Sequence, residues 1–298
     1  GCRPAHARFA GAGGCGMVAL LMNTPRAQRP APSGTGSPVS LIARLLDRFW
    51  FWRRFPRRRL ARIVEAHQLW FSSRTRQGSR AMLSGANLKG ASLASTDLRG
   101  ADLSGVNLDH GVANQCDLRE ADLSSASLHQ AEIRDADLRE ANLSQAVLTD
   151  ADLTRANLIM ANLSRAEMGG CILRDANLFR AYLKGADLTA ADLRRADLRE
   201  ANLSQGDLHN ADLGRANLIM ANLSLANLGS ADLKHACLFR AYLRGADLRR
   251  ADLREADLSG TNLREASLKD ALVTADQLAS AILDETTLLP DGSNPKGG

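Results

Sequence analysis

Residues 141–165 read ANLSQ-AVLTD-ADLTR-ANLIM-ANLSR, five consecutive groups of five residues in one register. The same register runs from Ala81 to Pro290 without an insertion, which makes 210 residues or 42 pentads. Position 3 of the pentad is Leu in 38 of the 42, and position 1 is Ala in 33. Apolar residues are therefore spaced alternately two and three apart.

Neither an α-helix of period 3.6 nor a long strand of period 2 keeps such a stripe on one side. A spacing of two suits a short extended piece with both side chains inward, and the additional residue turns the chain. Asn, Asp, Ser and Gly fill many of the outward positions and suit turns. Repetition coils the backbone around an axis filled with Leu, so the spacing predicts a β-solenoid.

The A-[D/N]-L-x-x pattern over residues 81–290 resembles the pentapeptide-repeat family. The resemblance implies an all-β fold: a right-handed quadrilateral β-helix with four pentads per coil and about ten coils. It also implies that positions 1 and 3 point inward and the other three face solvent. At ~4.8 Å per coil, such a β-helix is about 50 Å long.

A longer repeat lies inside the shorter one. Residues 155–164 and 215–224 both read RANLIMANLS, and residues 178–183 and 238–243 both read LFRAYL. The offset is 60 residues or twelve pentads. With four pentads per coil this is three whole coils, so features of the first copy recur on the same face in the second.

This duplicated segment carries apolar residues at outward positions, where they are otherwise uncommon. They are Ile159, Met160, Phe179 and Tyr182, and their copies Ile219, Met220, Phe239 and Tyr242. Residues 20 apart stack on one face, so we expect two apolar patches roughly 14 Å apart. Exposed apolar patches tend to mark interaction sites. The alternative, that they were merely copied with their coils, is equally consistent with the sequence.

The sequence predicts four segments: residues 1–40 a disordered Gly/Pro/Arg-rich tail, 41–80 a basic aromatic helical segment and N-terminal cap, 81–273 the β-helix, and 274–298 a C-terminal capping helix and tail. Solenoid ends need such caps. Arg57–Ser73 has apolar residues at helical spacing. Thr274 and Gln277 have the spacing of a capping box and predict a helix to about Leu283. Met17 and Met22 are candidates for the true start.

The charge is divided unevenly along the chain. Residues 1–80 carry 15 Lys and Arg against 2 Asp and Glu, a net of +13, and residues 81–290 carry 22 against 30, a net of −8. Asp291 and Lys296 cancel, which returns the overall +5. The chain is thus a basic arm attached to a mildly acidic body.

Aromatic and basic residues are mixed in LLDRFWFWRRF at residues 45–55, which three Arg follow. This composition is typical of a segment that binds an anionic membrane surface. The candidate contact residues within 41–59 are Phe49, Trp50, Phe51, Trp52, Arg53, Arg54, Phe55, Arg57, Arg58 and Arg59. Two alternatives stay open: nucleic-acid binding, and packing on the end of the β-helix. We predict a cytoplasmic protein, which membrane contact by this segment would make peripheral at the inner membrane face.

Some members of the family protect DNA gyrase by imitating DNA, and Asp192, Asp212, Asp232 and Asp252 predict an acidic ladder. B-DNA carries one charge per ~1.7 Å, or about 30 over 50 Å, whereas the repeats carry a net of −8. Arg194, Lys234 and Arg254 follow three of these Asp by two residues. These charges disfavour gyrase as the partner.

The sequence shows no catalytic constellation. The G-x-G-x-x-G match at residues 11–16 has no strand before it. His110, His129, His209 and His235 are outward, with no pair expected in adjacent coils, and the five Cys are irregularly spaced. We therefore predict a non-enzymatic, bacterial-type scaffold for an unidentified protein partner, without cofactor, metal or small-molecule substrate. A DNA-mimic or nucleic-acid-associated protein is the alternative, and a secreted effector is a weaker one.

Overall fold

The computed structural model of the protein describes residues 56–74 and 76–295. The predicted tail of residues 1–40 and the basic aromatic residues 41–55 lie outside these residues. Helix α1 (Arg57–Ser72) comes first, and isolated parallel β-bridges follow from Met82 to Leu272. Helix α2 (Ala275–Ala279) comes next, and two more bridges, at Ile282 and Leu288, close the described chain.

Each bridge up to Leu272 joins residues twenty apart, from Met82–Asp102 to Asp252–Leu272. Twenty residues are four pentads, so every pentad pairs once with the coil on either side. The N–H of Leu103 donates to the carbonyl of Asp122 at 2.7 Å, and the N–H of Asp122 donates back to Ala101 at 2.9 Å. The backbone groups of one coil are thus satisfied by its neighbours, which defines a β-helix.

The turns between the extended pieces place position 5 in the left-handed region. Its φ is +60° at Glu140 and +63° at Gly100. A residue with a Cβ costs about 1 kcal/mol in this conformation. The hydrogen bonds between coils offset that cost, because they recur at every turn.

Positions 1 and 3 form the core. Ala141 and Leu143 are fully buried, as are their equivalents one coil later, Ala161 and Leu163. Each buried Leu contributes roughly 1.5–3 kcal/mol. The small Ala lets the chain pass close to the Leu of the next pentad, so two residue types fill the interior.

Helix α1 packs on the first coil through Leu60, Val64 and His67. The His67 Nδ1 atom accepts a hydrogen bond from the N–H of Ala81 at 3.0 Å. In later pentads the N–H of position 1 donates to the position-3 carbonyl of the pentad before it, as Ala86 does to Leu83 at 2.9 Å, so at the first pentad the imidazole takes the place of that carbonyl. Trp70 stacks on the His67 ring with centroids 5.5 Å apart.

Helix α2 begins with the predicted capping box. Thr274 Oγ1 accepts from the N–H of Gln277 at 3.2 Å, and Gln277 Oε1 accepts from the N–H of Thr274 at 2.9 Å. The Gln277 amide also donates to the carbonyls of Leu253 and Ala256, at 2.7 and 2.8 Å. One side chain thus starts the helix and satisfies two carbonyls of the last regular coil.

Beyond α2 the structure departs from the sequence-based boundaries. The helix ends at Ala279 rather than near Leu283, and the chain then resumes pairing, so residues 274–298 are more than a helix and a tail. Leu288 pairs with Ser267, twenty-one residues earlier, so the single register expected up to Pro290 is wrong by one residue here. Thr287 takes the inward place, because its Oγ1 donates to the carbonyl of Leu263 at 3.1 Å.

The N-terminal cap should loosen as the pH falls. Burial lowers the pKa of His67 below its ordinary value of 6.5, and protonation would replace the Nδ1 lone pair that Ala81 needs. The unfolded state therefore binds more protons, and the stabilisation by His67 is full above about pH 6.5 and is lost as the pH falls through the folded pKa. We expect the protection factors of the amides at residues 81–83, taken relative to the intrinsic exchange rate at each pH, to fall over that range.

The variant His67→Asn is the control for this prediction. Its side-chain oxygen keeps an acceptor near Ala81 without a titratable group, so the protection factors should lose their pH dependence. An unchanged pH dependence in the variant would show that another group controls the cap.

Candidate functional site

Six of the eight predicted apolar residues lie along one column of stacked turns, and Tyr182 and Tyr242 lie at bridge positions of the pentads that follow it. We call it the Ile/Phe turn column, defined as positions 4 and 5 of the pentads at residues 99–100, 119–120, 139–140, 159–160, 179–180, 199–200, 219–220, 239–240 and 259–260. The N–H of Met160 donates to the carbonyl of Phe179, and that of Met220 to Phe239, both at 3.0 Å. The structure therefore brings each Ile-Met turn next to a Phe-Arg turn in the following coil.

An ion-pair ladder runs along the rest of this column. Where position 4 is Arg, position 2 of the same pentad is Asp, as at 97/99, 117/119, 137/139 and 197/199. Arg119 donates to Asp117 through Nε at 2.8 Å and Nη2 at 2.6 Å. The hydrogen bond from Arg99 lowers the pKa of Asp97. Each such exposed pair adds little stability, but the ladder covers the surface with balanced charge.

The ladder is interrupted at the two apolar patches, and both charges are absent there. In the pentads that contain Ile159, Phe179 and Ile219, position 2 is Asn157, Asn177 and Asn217. In the pentad that contains Phe239, it is Cys237. The Asn177 side chain still accepts from the N–H of Phe179 at 3.1 Å, so the turn is preserved. The contrast of D-L-R with N-L-[I/F] is readable in the sequence, but our sequence analysis did not use it.

The first patch is partly covered by guanidinium groups. Phe179 is half-buried, with Arg180 4.9 Å and Arg199 of the next coil 5.4 Å from its ring centroid. Met160 and Tyr182 are 43% and 49% exposed. This patch therefore combines aliphatic, aromatic and cationic groups.

The second patch is more apolar than the first. Arg240 lies 5.1 Å from the Phe239 ring centroid, but Ser259 stands where the first copy has Arg199. Leu225, 61% exposed, replaces the Arg165 of the first copy. Gly245 leaves room for it, since a Cβ there would lie 2.8 Å from Leu225 Cδ2. Leu225 escaped the sequence analysis because it is a single change outside the two quoted repeats.

The acidic ladder is real but neutralised. Its members, Asp192, Asp212, Asp232 and Asp252, lie in consecutive paired coils. Arg194 bridges the first two at 2.7 and 3.3 Å, and Lys234 bridges the last two at 2.9 and 3.2 Å. Arg254, with Lys234, holds the pKa of Asp252 far below its ordinary value. A surface on which cations bridge the first two and the last two carboxylates does not reproduce the charge of DNA.

The described His and Cys residues form no metal site and no reactive thiol at Cys116. The rings of His110 and His129 meet edge-on with centroids 5.6 Å apart, so our expectation of no His pair in adjacent coils is wrong. Among residues 56–74 and 76–295, no group of three His, Cys, Asp or Glu side chains is placed to hold a metal ion. Burial raises the pKa of Cys116 to about 11, which keeps this thiol unreactive.

Three of the predicted membrane-contact residues are described: Arg57, Arg58 and Arg59 are exposed in the first turn of α1. The other seven, Phe49 to Phe55, lie outside the described residues. Pro56 precedes the helix and provides no side-chain cap, and the first turn has no acidic residue. Neither described helix has the length and apolar character that crossing a membrane requires.

A family model for pentapeptide repeats matches the chain in eight copies, over residues 79–109, 101–139, 136–175, 176–215, 207–245 and 238–270. No curated protein sequence matches the chain significantly.

Several solved structures are similar. HetL, a pentapeptide repeat protein involved in heterocyst differentiation regulation in the cyanobacterium Nostoc, is 36% identical, and the match covers 76% of this chain and 97% of HetL with a TM-score of 0.53. A second Nostoc pentapeptide repeat protein is 32% identical, with coverage of 35% and 84% and a TM-score of 0.31. Full-length QnrB1, a plasmid-mediated fluoroquinolone resistance protein, is 19% identical, with coverage of 72% and 93% and a TM-score of 0.33.

The two patches should differ in their contribution to stability. Phe179→Ser removes a ring flanked by two guanidinium groups, whereas Phe239→Ser removes one flanked by a single group. Each exposed cation–π contact is worth ~0.5–1 kcal/mol, so we expect Phe179→Ser to cost about that much more in free energy of unfolding, measured with urea.

Ile159→Ser and Ile219→Ser are the matched control pair. Each Ile has an Arg turn in the coil before it and a Phe turn in the coil after it, so their costs should be similar. An equal or larger cost for Phe239→Ser would contradict the assigned role of Arg199.

Proposed function

The chain belongs to the pentapeptide-repeat family, and from that premise we propose that it is a non-enzymatic scaffold whose Ile/Phe turn column binds protein. We take the β-helix as right-handed and quadrilateral, with about ten coils. The twenty-residue spacing of its bridges supports that geometry. Function in such a scaffold belongs to surface sites, because the inward positions are occupied by Ala and Leu.

The joint absence of both charges at the patches carries this proposal. An Asp–Arg pair is replaced by Asn with Ile or Phe at three turns, and the turn geometry is kept. Copying alone explains the presence of a second patch but not its composition. Relative to the first copy, Ser259 replaces Arg199 on this column and Leu225 replaces Arg165 on the neighbouring one. Divergence towards a more apolar exposed surface favours retention for binding.

A photo-reactive phenylalanine analogue at Tyr182 or Tyr242 tests the proposal. In cells that produce the protein, we expect ultraviolet light to yield protein adducts from both sites. Adding Phe179→Ser and Phe239→Ser should reduce the yield severalfold without changing the far-UV circular dichroism. The matched control site is Ala190, which is exposed on a different turn column. Equal yields from Ala190 and the Tyr sites would refute a binding role for the column.

We further propose that the basic aromatic segment, residues 41–59, binds an anionic membrane surface and places the protein at the inner membrane face. One observation favours this. Cations at a helix N-terminus are disfavoured by the macrodipole, by ~0.3–1 kcal/mol each, yet Arg57 and Arg58 are exposed there without a capping side chain. Helix stability does not explain them, whereas attraction to anionic lipid does.

Arg57→Gln combined with Arg58→Gln separates these two effects. We expect weaker co-sedimentation of the full-length chain with phosphatidylserine vesicles, and equal or greater protection of α1 amides from exchange. Added salt should weaken binding, and phosphatidylcholine vesicles should not bind. The control, Arg215→Gln with Arg250→Gln, removes the same charge elsewhere. If the control lost binding equally, the effect would come from the net charge of the chain and not from Arg57 and Arg58.

A further inference from the structure

We propose that the partner on the Ile/Phe turn column is a second copy of this chain, side by side and parallel, related by a two-fold axis along the β-helix. The inference deepens the proposed function and rests on it.

The order of residues along the column is the starting point. From residue 119 to 240, positions 4 and 5 of successive coils read Arg-Glu, Arg-Glu, Ile-Met, Phe-Arg, Arg-Glu, Ile-Met and Phe-Arg. Every pair is chemically complementary within itself: opposite charges, two aliphatic side chains, or an aromatic ring and a cation. Seven coils in succession carry such a pair, over about 29 Å from the first to the last.

A two-fold axis parallel to the β-helix uses this order directly. It keeps each coil level with the same coil of the second copy and exchanges the two sides of the turn. Position 4 of one copy then faces position 5 of the other. Arg139 would face Glu140, Ile159 would face Met160, and Phe179 would face Arg180. An antiparallel arrangement centred on residue 199 would instead place Arg199 opposite Arg199.

The charges inside one chain leave this face incompletely paired. Arg119 and Arg139 donate to Asp117 and Asp137, not to the Glu that follows them. Within the described residues, Glu120 and Glu140 take part in no ion pair. A second copy would bring an Arg to each of these carboxylates, twice by symmetry.

The other three turn columns lack this property, and the column that contains residues 164–165 has no acidic residue at positions 4 and 5 from residue 124 to residue 225. The column that contains Arg194 and Arg195 also contains Lys234 and His235, so the same operation would place like charges together. The column that contains Arg249 and Arg250 has the same defect. Complementarity at every level from 119 to 240 is therefore specific to the column that carries the apolar patches.

Sedimentation equilibrium of the full-length chain tests the proposal. We expect a reversible dimer of the kind that small interfaces form. Its dissociation constant should rise as salt is added. In the double variant Glu120→Arg with Glu140→Arg, positions 4 and 5 of these two coils are all cationic. In the double variant Arg119→Glu with Arg139→Glu, the same four positions are all anionic. Each variant alone should dimerise at least about tenfold more weakly, whereas their equimolar mixture should regain dimer. The control, Arg250→Glu, should leave the dimer unchanged.

Orientation is tested by disulfide formation. In chains with Cys2→Ser and Cys15→Ser, the Met160→Cys variant should cross-link to an equimolar Ile159→Cys variant, because the parallel axis places position 4 of one copy opposite position 5 of the other. Ala190→Cys should not. A dimer without the Met160→Cys cross-link would overturn the parallel arrangement.

Two further results would overturn self-association on this column: a monomer at all concentrations, or a dimer unaffected by the charge variants. Adducts to a different protein at Tyr182 and Tyr242 would still leave the proposed function standing. Absence of both dimer and adducts would remove the two proposals together.

Discussion

Everything in this protein depends on one hydrogen-bonding constraint: each pentad must meet the pentads twenty residues before and after it. The bonds between Leu103, Asp122 and Ala101 recur along the chain and fix the coil at four pentads. Once the coil length is fixed, every outward residue belongs to a vertical column. Residues twenty apart in the sequence are then neighbours on the surface, whatever the local sequence is. The surroundings of a run such as N-L-I-M are therefore set by the coils before and after it.

The surface chemistry follows from these columns. Many Asp carboxylates pair with a cation of their own pentad, and some of these cations also reach the Asp of the next coil. Arg194 and Lys234 show this on the acidic ladder, and Arg119 shows it on the Ile/Phe turn column. The net charge of the repeats is therefore a poor guide to local potential. Apolar patches stand out against this balanced background because they remove both members of a pair.

The fold was predictable because two residue types at a fixed spacing leave few alternatives. The capping box at Thr274 was predictable too, since its two side chains act within one turn. The predictions that were wrong concern contacts between residues in different coils. Thr287 replaces Ala inside because a buried hydroxyl finds the Leu263 carbonyl, which no local pattern reveals. His110 and His129 meet diagonally, nineteen residues apart, and so escape a rule that compares only residues twenty apart. The apolar patches were located from the sequence. The joint loss of Asp and Arg around them became evident only from the ion-pair ladder in the structure.

The slip of one residue between Ser267 and Leu288 bears on assembly at the end of the β-helix. A regular last coil would offer four unpaired edges in the register that the next coil expects, which is a template for fibre growth. Here the last pairing lies out of step with the other sides, and the amide of Gln277 occupies two of the carbonyls. A neighbouring molecule could align with part of this end but not with all of it. We therefore expect the irregular terminus to disfavour end-to-end polymerisation of this highly repetitive chain.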